Sequence, residues 1–203
     1  MTETLVCLTA RHVDTVKLTD GFNVLEPNTL DRLLSVDALW LGPRTWLETD
    51  ENFRQLVSYV VFRHAHSVLV YRRTPKGGET RLHGRLSLGV GGHVNATDLV
   101  SQEGTVDLTA SLHRACAREI AEEVATGRVE RLITIGIIKE SGNAVSRVHL
   151  GVVTECWLEA PEVTLIDPGL VDADFVPVST LPSLSERMET WSSCLLSHLK
   201  SGQ

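Results

Sequence analysis

Hydrophobic and polar positions along this chain of 203 residues predict strands on either side of one long helix. Leu56 to Phe62 and Ser67 to Tyr71 are β-rich runs separated by Arg63-His64-Ala65-His66, which reads as a hairpin. A polar, Gly-rich stretch from Arg72 to Arg85, with Lys76-Gly77-Gly78 inside it, reads as a loop. Leu86 to Val90 then leads into Gly91-Gly92, and a helix is expected from Leu108 to Ala125. Val129 to Ile138 and Arg147 to Trp157 read as strands, the second with several β-branched residues. Near the end, Leu184, Met188, Trp191, Leu195 and Leu199 step by three or four, which predicts an amphipathic helix packed on the domain.

The first fifty residues carry weaker patterning. Thr4 to Val16 alternates loosely enough for one or two strands, Asn28 is placed to cap a short helix through Val36, and Gly42-Pro43 marks a turn. Residues 1–50 are therefore expected to be an N-terminal accessory segment and 51–203 the main domain. No repeat or low-complexity tract interrupts either. Strands alternating with two helices suggest an α/β sandwich around a mixed sheet.

Composition narrows the classes. With 42% hydrophobic and 22% charged residues the chain is expected to fold rather than stay disordered. A formal charge of −7 argues against a nucleic-acid partner. It leaves room for a small phosphorylated substrate, because a bound divalent cation reverses the local field. The cysteines, Cys7, Cys116, Cys156 and Cys194, form no CxxC pair and read as small buried hydrophobes in a reducing compartment. Met1-Thr2-Glu3-Thr4 has no basic and apolar leader pattern, and no apolar run approaches the ~20 residues that span a bilayer. The expected location is cytoplasmic, without a membrane partner; a homodimer is left open.

The expected helix has an unusual face. Glu119, Glu122 and Glu123 (i, i+3, i+4) lie on one side, and that stripe runs back through Leu112, Ala115 and Cys116. The carboxylates thus continue a line that should face the protein body, with Ile120 and Val124 beside it. Like charges at this spacing repel, and desolvating each costs several kcal/mol. A hard cation such as Mg²⁺, which takes oxygen ligands and joins carboxylates to phosphates, removes the conflict. The alternative is a solvated acidic face with Arg118 bridging to Glu122.

A double glycine after a strand, then Arg118-Glu119-Ile120-Ala121-Glu122-Glu123 on a helix, resembles the Nudix box, G-x5-E-x7-R-E-U-x-E-E-x-G-U. Gly92 matches the box glycine. Tyr71-Arg72-Arg73, Arg81-Leu82-His83-Gly84, Leu88-Gly89-Val90-Gly91-Gly92-His93 and Val148-His149-Leu150-Gly151 extend the likeness over roughly residues 55–157. Three features are atypical. The connection from Val94 to Ala117 is long, Ala110 stands where the first glutamate falls, and Val124-Ala125 replaces the closing x-G.

The resemblance implies a Nudix-type α/β/α sandwich, and hydrolysis of a diphosphate linkage in a nucleoside diphosphate derivative or related small molecule. It implies Mg²⁺, or Mn²⁺ in its place, held by Glu119, Glu122, Glu123 and the carbonyl of Gly91. Bound water would be acidified there, with Glu119 or Glu122 as general base and Arg118 orienting a glutamate. Arg81, His83, His93 and His149, in the matched segments, are candidate substrate contacts, and Glu159 or Glu162 a further ligand. Arg72, Arg73, Lys76 and Arg85 add cations before the box, suited to phosphate or to solvent. Two alternatives remain: a degenerate Nudix domain that binds a nucleotide-like ligand in a regulatory role, and an isopentenyl-diphosphate-isomerase-like enzyme. The isomerases carry a cysteine near Gly91-Gly92-His93, where this chain has none.

Overall fold

A computed structural model describes residues 3–76 and 80–201; the expected Gly77-Gly78 loop lies outside them. In chain order the elements begin with β1 (Thr4–Thr9), α1 (Ala10–Thr15), β2 (Gly21–Val24), α2 (Thr29–Leu33), β3 (Leu39–Pro43) and α3 (Arg44–Leu47). Next come β4 (Phe53–His64), β5 (Ser67–Arg73), β6 (Leu86–Ser87), β7 (Gly89–Val90), β8 (Val100–Gln102), β9 (Thr105–Asp107) and α4 (Leu108–Glu123). The chain closes with β10 (Val124–Thr126), β11 (Val129–Lys139), α5 (Ala144–Arg147), β12 (His149–Leu158), β13 (Val163–Leu165), β14 (Leu170–Pro177) and α6 (Thr190–Ser201). The fold is α/β with a large mixed sheet, in strand order β14-β5-β4-β12-β11-β2.

The chain divides into two compact units. The first comprises Met1–Tyr59, Gly92–Arg118 and Ile135–Val153. In it β1 pairs antiparallel with β3 (Val6↔Leu41) and with β4 (Cys7↔Gln55), and β2 pairs with the end of β11 (Ile137↔Asn23). Its core gathers Val6, Leu8, Leu33, Leu56, Leu108, Leu112, Ile137 and Leu150, all buried. Each such side chain contributes roughly 1.5–3 kcal/mol by leaving water. Of the one or two strands expected from Thr4 to Val16 one forms, β1, and α1 follows it. The Gly42-Pro43 turn is instead the end of β3, because pairing to Thr4 and Leu5 keeps it extended. Asn28 precedes α2 as expected, but in a left-handed conformation and without a side-chain cap.

The connection before α4 is structured. Asp98 closes a short helical turn, Ala96–Asp98, by accepting the Asn95 amide at 2.8 Å. β8 and β9 then form a hairpin whose turn, Glu103-Gly104, has positive φ at both residues (50° and 83°). That is the primed geometry that matches strand twist. Asp107 starts α4 by accepting the Ala110 amide at 2.9 Å.

The second unit comprises Val60–Gly91, Glu119–Thr134 and Thr154–Gln203. Here the expected hairpin forms, with Arg63↔Val68 and His64↔Ser67 in register around Ala65 (φ 47°). β14, β6 and β7 add to it through β5 and β4. α4 stops at Glu123, two residues before its expected end, since Val124 pairs with Leu165 in β13. α6 supplies the buried Leu195 and Leu199 of the expected stripe, while Leu184 and Met188 precede it. Among the described residues no helix is long and apolar enough to cross a membrane, and no disulfide joins the four cysteines.

Candidate functional site

Burial along α4 shows where its carboxylates lie. Leu108, Leu112, Ala115 and Cys116 are buried, and the stripe continues into Glu119, 6% exposed. Glu123 is half-buried, but Glu122 is exposed. The inward line expected for all three therefore holds for the first and partly for the last. At 100° per residue Glu122 falls on the flank of the stripe rather than at its centre.

The acids occupy the end of the helix where charge is least welcome. A helix C-terminus carries partial negative charge, and no basic residue stands in the last turn of α4. The Glu123 carbonyl is satisfied by the amides of Ile166 (2.8 Å) and Asp167 (3.3 Å). Its carboxyl is different: Oε2 is buried and has no hydrogen-bond partner among the described residues. Burial pushes the Glu123 carboxyl up to about 7, opposed by Arg73 and assisted by Glu119, Asp167 and Glu122.

The same unit holds the glycine strand. The Tyr71 hydroxyl donates to the Gly89 carbonyl at 2.5 Å, and Arg73 Nη2 donates to that hydroxyl at 3.0 Å. From the other direction Ser192 Oγ accepts the Leu88 amide at 2.8 Å. Buried Glu189 caps α6 through the Trp191 and Ser192 amides (2.7 and 2.8 Å) and accepts from Ser87 Oγ at 3.3 Å. Gly91 comes directly after β7. Arg81 lies exposed on a helical turn (Thr80–Leu82), with half-buried His83 just after it. Of the other cations, Arg72 pairs with Asp172 and Arg85 donates to the Glu186 carbonyl at 2.9 Å. Glu159 pairs with Arg128 at 3.3 Å, and Glu162 is exposed.

In the first unit, Arg118 makes a two-pronged contact with buried Asp98, Nε to Oδ1 at 3.0 Å and Nη2 to Oδ2 at 2.8 Å. It also donates to the His93 carbonyl at 2.9 Å. The arginine of the motif thereby fastens the segment after the double glycine to α4. His93 and His149 meet directly, Nε2 to Nε2 at 2.9 Å. The acceptor-only carbonyl of Val145 lies 2.6 Å from His149 Nδ1. His149 Nδ1 therefore donates to that carbonyl, and the two Nε2 atoms share one hydrogen. Burial, His149, Arg44 and Arg118 push His93 down to about 3, so its ring is neutral near pH 7.

The donor set of the acid cluster, carboxylates gathered at the end of one helix, suits a hard divalent cation. The orphaned Glu123 oxygen is the observation that fits one. Among the described residues no three His, Cys, Asp or Glu side chains are already gathered around a single point. Sequence reasoning missed Asp98, Glu189 and the roles of Tyr71 and Ser192. Of these only Tyr71 stood in a segment matched to the motif.

No family model matches the chain. Over 150 residues, 71% of this chain and 70% of the relative, it is 33% identical to protein YmaB of Bacillus subtilis. Among solved structures it is similar to Tm1382, a protein assigned to the Nudix hydrolases. That likeness has a TM-score of 0.79 at 23% identity, over 99% of this chain and 100% of that one. The Nudix domain of Shewanella oneidensis NrtR, solved with ADP-ribose, is similar at a TM-score of 0.55 and 14% identity, over 73% of this chain and 88% of that one. At these identities the structural likenesses establish the fold.

Proposed function

We propose that this chain, which belongs to one family with YmaB of Bacillus subtilis, is a Nudix-type, divalent-cation-dependent hydrolase of diphosphate linkages. The substrate class is a nucleoside diphosphate derivative or a related phosphorylated small molecule. The observation that carries the reading is the carboxylate cluster at the C-terminal end of α4, with its buried, unsatisfied Glu123 oxygen. Glu119, Glu122, Glu123 and the Gly91 carbonyl would hold Mg²⁺, or Mn²⁺ in its place. When bound, the cation supplies charge neutralisation for the phosphate oxygens and acidifies a water.

The chain's own residues divide the remaining work. Glu119 or Glu122 takes the proton of the attacking water, and Arg118 positions the start of the acid run by gripping Asp98. Arg81, His83, His93 and His149 are candidate substrate contacts. His93, neutral near pH 7, can offer a hydrogen bond but no charge. Residues 51–203 form the hydrolase portion in this reading, and 1–50 an accessory segment whose β1 pairs with β4. We place the protein in the cytoplasm.

The test is a Mg²⁺-dependent phosphate-release screen across nucleoside diphosphate derivatives, dinucleoside polyphosphates and nucleotide sugars, with Glu123→Gln in parallel. Turnover on one class that the variant loses is the expected result. No turnover on any class, or turnover undiminished in the variant, sinks the hydrolase reading.

A further inference from the structure

The strand that delivers the double glycine is held by a buried tyrosine that donates to its backbone. Tyr71 is fully buried near the end of β5. Arg73, two residues on and so on the same face of the strand, donates to its hydroxyl at 3.0 Å, with the guanidinium 5.6 Å from the ring centroid. A guanidinium has donors and no acceptor. The phenol oxygen must therefore accept from Arg73, and its single proton goes to the Gly89 carbonyl at 2.5 Å. Hydrogen bonds in series polarise one another, which strengthens the grip on that carbonyl.

Gly89 matters because of the residue two places on. Successive carbonyls of an extended strand point to opposite sides, so the next to share Gly89's direction is Gly91's. β7 is held extended by pairing with β4 (Val61↔Gly89, Val60↔Val90), and Gly91 continues extended at φ 158°. Upstream, Ser192 Oγ holds the Leu88 amide. Tyr71 is then a side-chain support at Gly89, two residues before Gly91, among glycines that have no side chains to anchor themselves. Burial, opposed by Arg73 and assisted by Glu123, pushes the phenol up to about 12, so it stays a donor.

We propose that Tyr71, with its hydroxyl aimed by Arg73, is a positioning residue that orients the Gly91 carbonyl for the cation. This rests on the cation site described above. The experiment is Mn²⁺ titration of the metal-free protein, read by the loss of the free-Mn²⁺ paramagnetic resonance signal, with melting temperatures measured alongside. Tyr71→Phe should weaken Mn²⁺ binding about 10–100-fold, the usual cost of losing an outer-shell contact. Arg73→Met should weaken it less, Arg73→Lys should recover most of that loss, and Tyr71→Phe with Arg73→Met should bind no worse than Tyr71→Phe alone.

Binding lost in Glu123→Gln but kept in Tyr71→Phe overturns the positioning role and leaves the cation site standing. Additive losses in the double variant also overturn it. If Tyr71→Phe does not fold, equal Mn²⁺ affinity in Arg73→Met and wild type overturns it on its own. Wild-type protein that binds no Mn²⁺, or Glu123→Gln that binds as wild type does, brings down the cation site and the proposal with it.

Discussion

Replacing Glu123 with glutamine should stabilise the cation-free protein, and more so as pH rises. Its Oε2 is buried without a partner among the described residues. Burial, against Arg73 and with Glu119, Asp167 and Glu122, raises the carboxyl from 4.5 to about 7. A carboxyl held above its ordinary value binds its proton more tightly folded than unfolded. Its contribution is therefore fully present below about pH 4.5, is lost as pH rises towards about 7, and is level beyond. The full change is worth about 3 kcal/mol, which solvent reaching a half-buried group reduces to roughly 2. At ~2–4 °C per kcal/mol for a protein of this size, Glu123→Gln should raise the Tm by roughly 4–8 °C at pH 8 in chelator.

At pH 5 the gap should shrink to about a quarter, because the folded carboxyl is then protonated and resembles the amide in size and charge. Calorimetry of both proteins at the two pH values reads this directly. Saturating Mg²⁺ should then reverse the order at pH 8, since ligand that binds only the folded state stabilises it and the variant has lost a ligand. Equal stability of the two proteins at both pH values, or a variant that is the less stable at pH 8 in chelator, would refute the reasoning.

Asp98→Ala should cost about 3 kcal/mol in urea titration, because it leaves the partly buried Arg118 without its two-pronged partner. Burial raises the Asp98 carboxyl, but hydrogen bonds from Arg118 and the Asn95 amide outweigh it and hold the group below its ordinary 3.8. The contribution of that contact is present above the usual carboxylate range and lost as pH falls below it. His93, pushed down to about 3, should show no midpoint between about pH 5 and 8 in an NMR titration; a midpoint near 6.5 would contradict its burial. Its neutral ring contributes stability above about 6.5 that is lost as pH falls towards 3. Glu119→Gln should lower kcat by ~10²–10⁴-fold if Glu119 is the base, whereas an unchanged kcat would leave that role to Glu122.

The elements read correctly from the sequence were mostly those with a strong apolar signal. β4, β5 and β12 are buried along most of their length, and α4 and α6 along one stripe. The N-terminal region was harder because β1 runs into α1 with no Gly or Pro between Thr9 and Ala10. β14 escaped notice because only Leu170 along it is buried, which leaves little hydrophobic signal. The β8–β9 hairpin rests on the backbone of Glu103-Gly104, a weak turn signal. At the site, the helical stripe led to Glu119 and Glu123. The partner of Arg118 was invisible because Asp98 is twenty residues away and meets it only through the fold.

The claim that the α4 acids hold the working cation is tested most directly by a crystal soaked in Mn²⁺, with its anomalous scattering mapped. The account requires a peak bonded to Glu119 and Glu123, within reach of the Gly91 carbonyl. A well-occupied peak away from both carboxylates would contradict it.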